Sequence, residues 1–196
     1  MLSLMPRAGR CAEICVWNGE FSRAILETTA PEQLVLIDPW EMLAERGEGP
    51  AVHRKWDDAD FMGDMYFRVA GAFADLPHVI LCKGYSVPVL SSFPDDYFDW
   101  VYIDGNHRYE HVSADLRIAA AKVRPGGIIA GDDFFWKQDG QQHVRDAVLE
   151  FTETAGLGRK VTFLPETVSD ISSLTKPARM GQQYIIPVTG DMNDVQ

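Results

Sequence analysis

The chain has 196 residues, 46% of them hydrophobic, which fits one globular domain, and no stretch reaches the ~18 consecutive apolar residues of a membrane helix. Its formal charge of −11 argues against a nucleic-acid substrate, because such binding relies on Lys and Arg displacing counterions. Three cysteines (Cys11, Cys15, Cys82) without metal-type spacing, and no long apolar run in Met1–Arg10, point to a reducing cytoplasm rather than a secreted disulfide scaffold.

In chain order, the first predicted strand is Ala12 to Val16, followed by a helical stretch from Phe21 to about Glu27. Leu34 to Ile37 reads as a buried strand that stops at Asp38-Pro39. Glu41 to Trp56 is irregular, broken by Gly47, Gly49 and Pro50, and a helix is expected over Asp58 to Phe73. Val79 to Cys82 and Trp100 to Ile103 are the third and fourth strands. A helix over Tyr109 to Val123 carries Val112, Leu116, Ala119 and Val123 on one face. Pro125-Gly126-Gly127 is read as its stop, and Ile128 to Ala130 as a fifth strand ending at Gly131-Asp132-Asp133. A last helix presents Val144, Val148, Phe151 and Ala155, with Gly156 ending it. Two final strands, Val161 to Leu164 and Gln183 to Ile186, are separated by a polar loop, and the tail from Thr189 is expected to fray. Strands alternating with helices favour a parallel sheet covered on both faces.

The acids carry the functional signal. Asp38, Asp104 and the Asp132-Asp133 pair each follow an apolar strand, so in a parallel sheet they share the carboxyl edge, where open α/β folds bind ligands. Carboxylates gathered on one rim repel one another unless a cation or hydrogen-bond donors satisfy them. Gly19, after the first strand, suits a tight strand-to-helix turn close to a nucleotide-like ligand. The three-glycine dinucleotide fingerprint is missing, which disfavours a nicotinamide enzyme. Asp38 is placed to accept hydrogen bonds from both hydroxyls of a ribose, or else to serve as a turn or cap residue.

These residues fall into ordered motifs. Glu13-x-Cys15-x-x-x-Gly19 resembles the first motif of class I S-adenosylmethionine-dependent methyltransferases, whose usual form has glycine where Cys15 stands. Leu36-Ile37-Asp38-Pro39-Trp40, Ile103-Asp104-Gly105-Asn106-His107-x-Tyr109-Glu110, Arg124-Pro125-Gly126-Gly127 and Gly131-Asp132-Asp133 follow in order. The set is similar to the small-molecule O-methyltransferase branch of macrocin and cephalosporin-pathway type, and distantly to catechol O-methyltransferase, from about Ala12 to Ala155.

The resemblance implies a single α/β domain over 1–196 with its core in 11–188. The fold would be a Rossmann-like doubly wound sheet of about seven mostly parallel strands, the last antiparallel. S-adenosylmethionine would lie against Glu13, Cys15, Gly19, Asp38, Ser86 and Asp104, with Glu13 and Gly19 at its methionine end and Asp38 at the ribose. Ser86 would lie near the adenine or cap the helix that follows it. Asp104, Asp132 and Asp133 would bind Mg²⁺, whose preference is for hard oxygen ligands. His107, three residues after Asp104, would act as general base, or else only hydrogen-bond within its turn. The acceptor would be a small sugar or phenol, methylated on oxygen. The alternatives are a non-catalytic adenosyl-binding protein or a metal-independent N- or C-methyltransferase. Relatives carry helices ahead of the first strand that cover the site. Here the cover would come from Glu41–Trp56 and Trp136–Gln142, from the partner in a homodimer, or from nothing. Trp17, Trp40, Trp56 and Trp136 either wall the acceptor or pack.

Overall fold

Seven apolar runs form one sheet in the computed structural model, which describes residues 1–41, 59–155, 161–164 and 182–189. The strands are β1 (Arg10–Ile14), β2 (Gln33–Asp38), β3 (Val79–Lys83), β4 (Phe98–Ile103), β5 (Val123–Gly131), β6 (Thr162–Leu164) and β7 (Gln183–Pro187), and their spatial order is β3-β2-β1-β4-β5-β7-β6. The first five are parallel, while β7 runs antiparallel to both β5 and β6. The order turns back at β1, with β2 and β3 on one side and β4 and β5 on the other. That reversal opens a crevice at the carboxyl edge.

Among the described residues five α-helices cover the sheet: α1 (Glu20–Thr29), α2 (Ala59–Phe73), α3 (Ser86–Ser91), α4 (Tyr109–Lys122) and α5 (His143–Thr154). Alternate strand residues point to opposite faces, so one sheet feeds two cores. Ile14, Val35, Ile37 and Val101 pack with Leu116 of α4 and Val148 of α5 on one face. Cys11, Leu36, Trp100 and Tyr102 pack with Ile25 of α1 and Val69 and Phe73 of α2 on the other. Burial on both faces explains why the central strands read as continuous apolar runs rather than alternating ones. Among the described residues no helix is long and apolar enough to cross a membrane.

Three sequence expectations shift. β1 ends at Ile14 rather than Val16, because the chain enters the left-handed region at Cys15 (φ 69°) and leaves the strand there. The Pro125-Gly126-Gly127 stop instead lies inside β5 as a bulge: the register jumps from Phe98–Val123 to Trp100–Ile128. Gly126 N–H donates to Val188 C=O, and Val188 N–H donates back to Gly127 C=O. Leu2–Leu4 form a 3-10 turn that sequence periodicity did not signal. Most of the irregular Glu41–Trp56 segment, Gly156, the polar loop between the last strands and the tail beyond Thr189 lie outside the described residues.

Candidate active site

The parallel ladders continue one residue past each strand and align the site. Gly84 N–H donates to Asp38 C=O (3.0 Å), Cys15 N–H to Ile37 C=O (2.8 Å), Asp104 N–H to Ile14 C=O (3.2 Å) and Asp132 N–H to Ile103 C=O (3.3 Å). Asp38, Cys15, Asp104 and Asp132 are therefore consecutive stations along one edge, each roughly 5 Å from the next. The sheet brings the predicted acids together as expected.

On the β1–β2 side the acids are buried and partnered. Asp38 is 3% exposed; its Oδ2 accepts from Trp17 N–H (3.0 Å) and its Oδ1 from Trp40 N–H (2.7 Å). Burial pushes its pKa up against these two N–H groups, the Cys15 thiol and Val16 N–H, all of which favour the anion. Glu13 is 1% exposed and accepts from Ser22 Oγ of α1 (2.5 Å). Burial raises its pKa to about 8, the Ser22 hydrogen bond opposing and Asp104 and Asp38 adding to the rise. The Cys15 thiol, among the same three acids, is held well above its ordinary pKa by burial and their charge, so it is no nucleophile.

The turn itself is left-handed at Cys15 (φ 69°), Trp17 (φ 54°) and Gly19 (φ 77°). At Gly19 a side chain would also meet the Phe73 ring of α2 at 2.9 Å, so glycine there serves close packing as well as backbone shape. Trp40 is a packing residue rather than an acceptor wall: it is buried, and its indole Nε1–H donates to Trp17 C=O (3.0 Å). Trp56 lies outside the described residues.

The β4–β5 side is different. His107 Nε2 lies 2.9 Å from Asp133 Oδ2 and 3.7 Å from Asp104 Oδ1, with the side chains of His107, Asp104 and Asp133 27%, 41% and 20% exposed. The Nε2 atom is shut off from solvent yet makes no directed hydrogen bond; the carboxylates stand beside it rather than in line. One donor atom from each of Asp104, His107 and Asp133 lies within 4.8 Å of the others, the arrangement of a cation site. Burial pulls the His107 pKa down, but the Asp104 and Asp133 carboxylates beside the ring favour the imidazolium more strongly and raise the pKa to about 9.

Asp132, expected as a third carboxylate ligand, falls outside this cluster. Its Oδ1 accepts from Asp133 N–H (2.8 Å) and its Oδ2 from Tyr102 Oη (3.3 Å), which in turn accepts from Gln183 Nε2 (3.2 Å). Asp133 takes a left-handed conformation (φ 56°) that re-aims its side chain. Trp136 stacks on the His107 ring at 5.2 Å between centroids. Gly131 has no room for a side chain, because one would collide with the Tyr184 hydroxyl.

Ser86 is not an N-cap. It is the first residue of α3, after the cap Tyr85, and its hydroxyl donates to Asp115 on α4. Asp115 went unnoticed in the sequence, although its signal was there: an acid at the same helical face as Val112, Leu116 and Ala119.

The methyltransferase-domain family matches residues 12–134, from β1 through the turn after β5. The chain belongs to that family. It is a class I S-adenosylmethionine-dependent methyltransferase domain on a Rossmann-like sheet. No curated protein matches the sequence. Among solved structures, the methyltransferase is similar to a Corynebacterium glutamicum protein at 15% identity and TM-score 0.61, covering 96% of this chain and 76% of that one. It is similar to the N-methyltransferase NodS of Bradyrhizobium japonicum at 14% identity and TM-score 0.56, covering 96% and 90%. It is also similar to spermidine synthase of Thermotoga maritima at 12% identity and TM-score 0.57, covering 100% and 58%. These likenesses concern the fold alone. A methyltransferase and a synthase share it, so the acceptor must be argued from the site.

Proposed function

We propose that this methyltransferase moves the sulfonium methyl group to an oxygen of a small sugar or phenol, with Asp104, Asp133 and His107 forming a divalent-cation site beside the acceptor. The observation that carries the reading is the convergence of those three side chains at the ends of β4 and β5, where a solvent-shielded imidazole nitrogen lacks a directed hydrogen bond. The donor set fits such an ion: two carboxylates suit Mg²⁺ or Mn²⁺, and one imidazole is compatible with Mn²⁺. When bound, the ion would polarise the acceptor hydroxyl and lower its pKa.

The protein's own residues do the rest. Asp38 holds the ribose, and the buried acids around Cys15 favour the positive end of the cofactor over an anion. As a ligand, His107 Nε2 would give its one lone pair to the ion and could not also accept the hydroxyl proton. His107 would therefore serve as ligand rather than base, and the acidified hydroxyl would lose its proton to water. Trp136 fixes the plane of that ring. Holding oxygen, carbon and sulfur in line would supply most of the catalysis, a contribution of roughly 7–11 kcal/mol. The protein is expected to act as a soluble cytoplasmic enzyme on small molecules.

The test is methyl transfer from S-adenosylmethionine to a panel of catechols and sugars, with added Mg²⁺ or Mn²⁺ and with chelator. Turnover that needs the ion, vanishes with chelator and returns on adding it back supports the reading. Chelator-insensitive turnover, or methylation on nitrogen or carbon, overturns it.

A further inference from the structure

Beside the Asp104, His107 and Asp133 cluster lies a recess with about 10 Å³ of room for the centre of a water molecule, space for one. Its walls include the apolar side chains of Ile103, Val112 and Val144, and its polar residues include Asp104, Asp132 and Tyr184. Tyr184 stands on β7 opposite Gly131, and its hydroxyl comes so close to β5 that a side chain at Gly131 would strike it. The residue is 1% exposed, and its hydroxyl makes no hydrogen bond to another described residue. A buried phenol O–H left without a partner is costly, and buried tyrosines ordinarily find one. Burial, then the charge of Asp115, Asp104 and Asp132, holds this phenol well above its ordinary pKa, so at neutral pH it is a donor. Ionised carboxylates only accept hydrogen bonds. A water in the recess satisfies both kinds of group, accepting from the phenol and donating to a carboxylate.

We propose that one water in this recess bridges the Tyr184 hydroxyl to the Asp104 carboxylate, so that β7 positions a cation ligand carried by the end of β4. This rests on the reading that Asp104, His107 and Asp133 bind a divalent ion. Asp104 has the most exposed side chain of the three, 41% against 27% and 20%, and so has the most orientational freedom to lose on binding an ion. Ligand carboxylates are themselves held by outer hydrogen bonds, and losing such a partner costs about 10–100-fold in metal affinity. Tyr184 does not touch the ion: it is a positioning residue that acts through the water and Asp104.

The experiment is Mn²⁺ titration of the full chain at pH 7.5, with free ion read by electron paramagnetic resonance, for the wild type, Tyr184→Phe and Val144→Ile. Melting temperatures of the ion-free proteins are measured beside it. Tyr184→Phe keeps the ring and removes the donor. Val144→Ile keeps the donor and fills the recess, displacing the water. Both are expected to weaken Mn²⁺ binding by about tenfold or more while the melting temperature moves by no more than about 4 °C. Wild-type affinity in either variant overturns the bridge, and so does a loss of affinity that comes only with a collapse of the melting temperature. Each variant decides alone if the other does not fold. Failure of the wild type to bind Mn²⁺ removes the cation reading and the bridge with it, whereas wild-type binding that both variants retain in full removes the bridge alone.

Discussion

The two halves of the carboxyl edge treat their acids in opposite ways. On the β1–β2 half, Asp38 and Glu13 are buried and already hold protein donors, Trp17 and Trp40 N–H for one and the Ser22 hydroxyl for the other. On the β4–β5 half, Asp104 and Asp133 remain partly exposed around an imidazole nitrogen that no donor or acceptor addresses squarely. Acids held by their own protein shape a fixed socket; acids left short of partners are available for an ion, a proton or a substrate. On the proposed reading, the same strand-end aspartate would serve recognition on one side and chemistry on the other.

The contrast gives graded expectations. The largest effect is on turnover: Asp133→Ala or Asp104→Ala should lower kcat by ~10²–10³, the loss of several kcal/mol of charge stabilisation, while S-adenosylhomocysteine affinity stays within about threefold. Asp38→Ala should do the reverse, weakening cofactor binding by ~10–100-fold, since it would remove the proposed charge-assisted hydrogen bonds to the ribose and the carboxylate that Trp17 and Trp40 N–H share. Steady-state kinetics paired with calorimetry checks both, and a shared pattern for the two positions would break the division.

A smaller effect concerns pH. Glu13 carries its proton up to about pH 8 in the folded protein, against an ordinary value of 4.5, so folding binds a proton that the unfolded chain releases. The stability this group allows is fullest below pH 4.5 and is lost as pH rises through about 8. Glu13→Gln should match the wild type near pH 4.5 and exceed it by on the order of 1–2 kcal/mol at pH 9, read from denaturant midpoints. A Glu13→Gln protein less stable than wild type at pH 9 would contradict a buried acid whose burial outweighs its Ser22 hydrogen bond. Smallest of all, Cys15→Gly should stabilise the protein by ~1 kcal/mol, because glycine adopts φ 69° without strain and the mutation tests that relief against the added chain entropy. A lower melting temperature in that variant would show that the thiol's contacts with Asp38 outweigh the strain.

Much of this was legible because strand ends announce themselves. An apolar run stopping at an aspartate fixes that residue on the carboxyl edge, whatever the rest of the chain does, and so Asp38, Asp104, Asp132 and Asp133 landed where expected. Which of them share a ligand was not legible, because that depends on side-chain direction. Asp133 turns toward His107 through a left-handed backbone, and Asp132 is claimed by Tyr102, itself bonded to Gln183 from a strand 81 residues further on. The fate of the tryptophans was hidden for the same reason: Trp40 is buried by a contact with Trp17 across the turn, whereas Trp136 stacks on a site residue. The bulge at Gly126 was not legible because Pro-Gly-Gly reads locally as a stop, whereas long-range pairing with Val188 and with β4 on either side holds it in the sheet.

The most direct measurement is Mn²⁺ binding, followed by electron paramagnetic resonance in the presence of S-adenosylhomocysteine, for the wild type, Asp133→Asn and Asp38→Asn. One bound ion is expected in the wild type and in Asp38→Asn, and none in Asp133→Asn, whose cofactor binding persists. Ion binding that survives Asp133→Asn, or disappears with Asp38→Asn while the cofactor is bound, would contradict a cation centre built at the ends of β4 and β5.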